Sequence, residues 1–146
     1  MHWPSTSRGG TPLSGHADDP TISDDDSVLR RVPQEPNFVV WDEQTGAERP
    51  STGSFRVDED GVSVFLLSVL RDLPDPCRSV ADADPDRPGR CIELPVGACR
   101  DRGMGVARDP VDEPPLGTAH ALILAPAEMG KRRFQKQLAE IARFCA

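Results

Sequence analysis

The side chains best suited to chemistry lie in three short stretches. Arg30 and Arg31 sit in "LRRVP" at 29–33, Arg49, Ser51, Thr52 and Ser54 in "RPSTGSF" at 49–55, and His120 in "AHALILA" at 119–125. Arginine offers a planar fork of donors that matches a carboxylate or a phosphate, and Gly53 among hydroxyls lets backbone N–H groups face an anion. If the stretches converge, Arg31, Arg49, Ser51, Ser54 and His120 form a small anion or nucleotide pocket. The competing reading is architectural. Pro50 and Gly53 shape a turn, the hydroxyls satisfy its backbone, Phe55 anchors it, and the arginines pair with acids such as Glu48 or Asp58.

His120 is the one candidate for general-base work near neutral pH outside the first 27 residues. A serine hydrolase would need it beside Ser51, Ser54 or Ser63, but the sequence has no G-x-S-x-G elbow. A histidine satisfied at a strand end is the simpler expectation. The glycine fingerprints of dinucleotide and phosphate loops are missing too. Cys77, Cys91, Cys99 and Cys145 have neither zinc-knuckle spacing nor a neighbouring histidine, so they are expected to be free thiols, with no metal and no cofactor. Cys91 and Cys99 would share one face of a strand as small apolar residues.

These groups need a scaffold, and 146 residues allow one modest domain. Proline is frequent, at 15 residues, and tyrosine is absent, which suits a small, loop-rich fold. The net charge is −7, and Asp18, Asp19, Asp24, Asp25 and Asp26 all fall within residues 1–27 against the single Arg8. That segment has only isolated apolar residues and is expected to be a disordered acidic tail. Residues 28–146 then form a single small α+β domain, a small mixed sheet of short strands with one or two helices. An acidic chain with no long basic run disfavours nucleic acid. The longest apolar run, "VSVFLLSVL" at 62–70, is far short of the roughly 20 residues that span a bilayer. With no basic-then-apolar leader at its start, the chain is expected to be cytoplasmic, with no membrane partner.

Along the domain, "VLRRV" alternates as a strand and "NFVVW" at 37–41 is a second, and the two are expected to pair. Val62, Val64 and Leu66 suit a short strand that enters a helix near Phe65. Residues 74–90, rich in proline and aspartate, read as a long mobile loop. "CIELPVGAC" at 91–99, "GMGVARDP" at 103–110 and "AHALILA" read as short strands, with a helical turn in "ACRDRG" ended by Gly103. "PVDEPPLGT" is an open loop. The closing "AEMGKRRFQKQLAEIARFCA" is an amphipathic helix with Phe134, Leu138, Ile141 and Cys145 on one stripe and Arg132, Lys136 and Arg143 forming a basic face opposite.

Taken in order, "LRRVP", "RPSTGSF", "VARDPVDEPPLGTAHALI" and the basic terminal helix resemble a group of small bacterial proteins with no established activity. That group has an L-R-R-V-P start, an R-P-S-S-x-x-F element and a late A-H-A before a C-terminal helix. The resemblance covers about residues 28–146. Thr52 replaces the second serine, and the middle is richer in cysteine and proline than the group's more helical one. It implies that Arg31, Arg49, Ser51, Phe55 and His120 matter, without naming a reaction.

Three functions compete. The first is a non-enzymatic accessory or protein-interaction domain with a protein partner, suggested by the missing catalytic signatures. The alternative is a small nucleotide-handling or toxin-like transferase that holds a phosphorylated ligand in the arginine/hydroxyl pocket. It resembles ADP-ribosylating folds in outline but lacks their late glutamate, since Glu128 and Glu140 fall in the terminal helix. The third, nucleic-acid binding through the basic helix, rests on three spaced charges and is disfavoured.

Overall fold

The computed structural model describes residues 16–58 and 61–145. The expected tail therefore lies mostly outside the described residues. Its last part does not behave as a tail: Ile22 is 1% exposed and packs into the core. One guanidinium holds this segment in place. Arg100 donates to the carboxylates of Asp18 (3.1 Å) and Asp24 (2.6 Å) and to the carbonyls of Ile22 (2.8 Å) and Asp19 (2.9 Å). The Asp19 N–H donates to Val106 O and the Val106 N–H to Asp18 Oδ1, both at 2.8 Å. The ordered domain thus includes residues 16–27.

The class is α+β. Strand β1 (Ser27–Pro33) lies inside a six-stranded sheet with β4 (Val62–Leu66), β5 (Gly89–Pro95), β6 (Gly105–Arg108), β7 (His120–Leu124) and β8 (Arg143–Phe144). The order is β6-β7-β4-β1-β5-β8, and every pairing is antiparallel where a mixed sheet was expected. Strand β1 pairs with β4 and β5, not with the "NFVVW" segment. That segment supplies β2 (Val39–Asp42), which folds back on β3 (Ala47–Pro50) as a separate hairpin turning at Gly46.

Register sorts the side chains, because neighbours along a strand point to opposite faces. Val28 stands opposite Leu66 and Leu94, and Arg30 opposite Ile92, so Val28, Arg30 and Val32 share one face with Val64, Leu94 and Ile123. This first face is covered by α2 (Val96–Asp101), α3 (Lys131–Ile141), Phe55 and Ile22. Leu29, Arg31, Phe65, Cys91 and His120 take the second face. It is covered by α1 (Pro76–Ala81) and by short 3-10 turns at Leu67–Leu70 and Gly117–Ala119.

Several local expectations change for physical reasons. The stretch 74–90 contains α1, started by Pro76 and capped by Asp75, whose carboxylate accepts from Arg78 N at 3.1 Å. After β4 the chain makes a single 3-10 turn in place of a helix. "CIELPVGAC" is strand only to Pro95 and then helix, so Cys99 is buried on the first face while Cys91 belongs to the second. Gly103 ends this helical segment at φ +82°, as expected.

Helix α3 begins at Lys131, leaving Glu128 outside it, and stops before Ala142, which is extended. Phe144 then packs on the first face, and Cys145 donates its N–H to Cys91 O at 3.0 Å. Cys145 is therefore not on the helix stripe. No helix among the described residues is long and apolar enough to cross a membrane.

Candidate functional site

The arginine and hydroxyl groups of the two opening stretches are spent on the chain itself. Arg30 Nε donates to Ser54 O (2.8 Å) and its Nη1 to Ser63 O (2.7 Å). Burial lowers this guanidinium to about 10, and it stays charged at neutral pH. Arg31 donates to the carbonyls of Ala81 (3.1 Å) and Arg87, fastening α1 and the turn after it. Arg49 bonds Asp42 Oδ2 (3.3 Å) and reaches Ala139 O of α3 (2.9 Å), while its buried Nε has no partner among the described residues. Ser51 and Ser54 give their hydroxyl protons to the carbonyls of Asn37 (2.8 Å) and Phe38 (2.9 Å). Glu48 and Asp58 pair instead with Arg90 and Arg56.

Arg49 meets α3 and Ser54 meets Arg30, both on the first side of the sheet, whereas Arg31 and His120 are on the second. The five candidates are not brought into one cleft. On α3, Arg132 and Lys136 are exposed, but Arg143 is not part of their face. It lies in β8 and donates to the carbonyls of Glu140, Ile141 and Ala142, closing the helix end.

His120 lies in a different setting. Asp109 stands opposite it just past the β6–β7 ladder, and Asp109 N donates to His120 O at 2.9 Å. The His120 Nδ1 meets Asp109 O at 2.8 Å and the Asp109 carboxylate at 3.2 Å, and the ring sits edge-on to Phe65 at 5.8 Å. A carbonyl only accepts, so Nδ1 carries the proton and Nε2 of the neutral ring is an acceptor. Among the described residues Nε2 has no partner. The ring lines a cleft of about 390 Å³ with Phe65, Val111, Glu113, Leu116 and Gly117. Gly117 is required there, because a Cβ would stand 2.3 Å from Val111 O.

The second cleft on this face was not foreseen. Cys77 on α1, Cys91 on β5 and Cys145 just past β8 bring their sulfurs within 4.8 Å of one another. Cys77 Sγ lies 2.7 Å from Cys145 Sγ. Cys91 is buried, while Cys77 and Cys145 are partly open to a cleft of about 280 Å³ that Gln34, Asp75, Arg78 and Arg90 also line.

Hydrogen bonding from Cys91, aided by Cys77, draws the Cys145 thiol down to about 7. The bond to Cys145, together with burial, pushes Cys91 up, and burial raises Cys77 to about 12. The spacing rule that dismissed a metal concerns ligands close in sequence, and these three come from separate elements.

No protein-family model, curated protein or solved structure matches this chain, and the functional reading rests on its own geometry.

Proposed function

We propose that this protein is a non-enzymatic binding domain whose ligand enters the His120 cleft. The observation that carries the reading is an imidazole held at Nδ1 by Asp109, packed on Phe65, with Nε2 left for a ligand. Apolar walls from Phe65, Val111 and Leu116, with the Glu113 carboxylate and no cation in the lining, suit a small amine or alcohol on a hydrocarbon or ring body. Hydrolysis would need more than a base. The lining has no hydroxyl or thiol nucleophile and no positive side chain to meet a developing oxyanion. A phosphorylated ligand finds no cation there either, and the arginines that a transferase would use are bonded to backbone carbonyls.

The reading is tested by titrating the protein with aliphatic and aromatic amines and alcohols while following the His120 ring nitrogens by NMR. A saturating shift at Nε2 is expected, and ligand binding followed separately by calorimetry should be lost in His120→Phe. An Nε2 signal unmoved across the series would reject it.

A protein-interaction role is the second reading. It is supported by hairpin β2–β3, where Val40 is 48% and Trp41 62% exposed. A photo-crosslinking side chain at position 41 should capture one discrete protein in cells, and no specific crosslink would remove this reading.

A further inference from the structure

We propose that Cys77, Cys91 and Cys145 form a three-thiolate site for a thiophilic closed-shell metal ion, Zn²⁺ or Cu⁺, with a fourth position open to the adjoining cleft. The site is independent of the His120 cleft. The first support is distance. A metal–thiolate bond of about 2.3 Å places sulfurs around one ion roughly 3.8 Å apart. The three sulfurs already lie within 4.8 Å of one another, so binding needs the Cys77–Cys145 pair to open by about 1 Å.

The second support is the scaffold. Cys91 is fixed in the sheet, and Cys145 is held beside it by its N–H bond to Cys91 O. Cys77 comes from the first turn of α1, which Arg31 ties down through Ala81 O. Two ligands are thus placed by the backbone and the third is set by a helix. The thiol groups serve no other polar group closely: beyond one another, only Cys91 Sγ has a partner among the described residues, Ile92 O at 3.8 Å.

The third support is charge and access. Three thiolates exceed the charge of either ion, and Arg78 and Arg90 line the same cleft. Arg90 is shared with Glu48, whereas Arg78 has no acidic partner among the described residues. Gln34 and Asp75 are the oxygen-bearing side chains in that lining, and the cleft has room for water or a small ligand at the fourth position. Three protein ligands with one open position differ from closed structural zinc sites. Soft sulfur donors select these ions over Mg²⁺ or Ca²⁺. A bond between Cys77 and Cys145 would consume two of the three donors, so the site belongs to the reduced protein.

The experiment uses the full chain kept under a phosphine reductant. It is titrated with Co²⁺, as a spectroscopic stand-in for Zn²⁺, and separately with Cu⁺ delivered from a competing chelator. Thiolate-to-cobalt charge transfer that saturates at one ion per chain and is displaced by Zn²⁺ is expected for the divalent ion. Withdrawal of Cu⁺ from the chelator at the same stoichiometry identifies the monovalent one. The signal should be lost in Cys77→Ser and in Cys145→Ser and retained in Cys99→Ala, whose thiol lies on the other face.

Alkylation of the wild-type protein gives a readout independent of any variant, because bound metal should slow modification of Cys77 and Cys145. No response to either ion, or alkylation unchanged by both, overturns the proposal.

Discussion

The two faces of the central sheet differ in what their polar residues leave over once the chain is tied down. On the first, two partly buried arginines tie the chain to itself: Arg30 holds two carbonyls, and Arg100 gathers two carboxylates and two carbonyls. On the second, groups able to bind something else remain, namely Nε2 of His120 and three neighbouring thiols. A large apolar core lines the first face and a smaller one the second. The contrast teaches that the arginines most conspicuous in the sequence serve stability, while the groups suited to binding sit where helical cover is thinner.

The contrast fails if the largest losses of stability come from the second face. Phe134→Ala, at 1% exposure on the first, should cost about 3–5 kcal/mol in urea unfolding. A loss under about 1 kcal/mol would break the comparison. Ile22→Ala should cost about 2–4 kcal/mol by the same measurement, since it empties a buried site. A surface-like value would place residues 16–26 outside the cooperative unit.

Arg30→Met keeps much of the apolar stem but leaves the carbonyls of Ser54 and Ser63 short of a donor, and about 2–3 kcal/mol should be lost. On the second face, Cys77→Ser in reduced, metal-free protein should change stability by less than about 1 kcal/mol, because the thiol is half-buried. A larger loss would make the thiol cluster part of the core.

The smallest expected effect is on pH. Thr21 holds the Asp19 carboxyl below its usual value and Arg102 does the same for Glu140, so both carboxyls bind protons less readily folded than unfolded. Their contribution is present above the ordinary carboxylate range and is lost as pH falls through the lowered values. Both lie on the first side, one in the N-terminal segment and one on α3. Hydrogen exchange followed from about pH 6 to about pH 3 should therefore show residues 16–26 and α3 loosening before α1. The reverse order would contradict the assignment.

The strands and the terminal helix were legible because their apolar residues keep a local period. Val28, Val32, Val62, Val64 and Leu66 alternate, and Phe134 and Leu138 recur at helical spacing. Pairing was not legible, since β2 is as good a strand as β4 in composition and only the completed sheet chooses between them. Helix α1 was hidden by the prolines and aspartates around it, although Asp75 and Pro76 form a recognisable start signal. His120 could be singled out as the only histidine after residue 27, but Asp109 behind it follows from the β6–β7 register. The thiol cluster left no local signal, because three separate elements deliver its sulfurs.

The bonds between Asp18, Asp19 and Val106 carry one more consequence. Strand β6 is the last strand on its side of the sheet, and these bonds occupy both outward backbone groups of Val106. A chain trimmed to begin at Val28, where the composition changes, would expose a bare strand margin next to apolar Val106 and Met104, a template for cross-chain β-pairing. The acidic segment covers that margin, and a chain begun at Val28 should self-associate more readily than one that keeps residues 16–27.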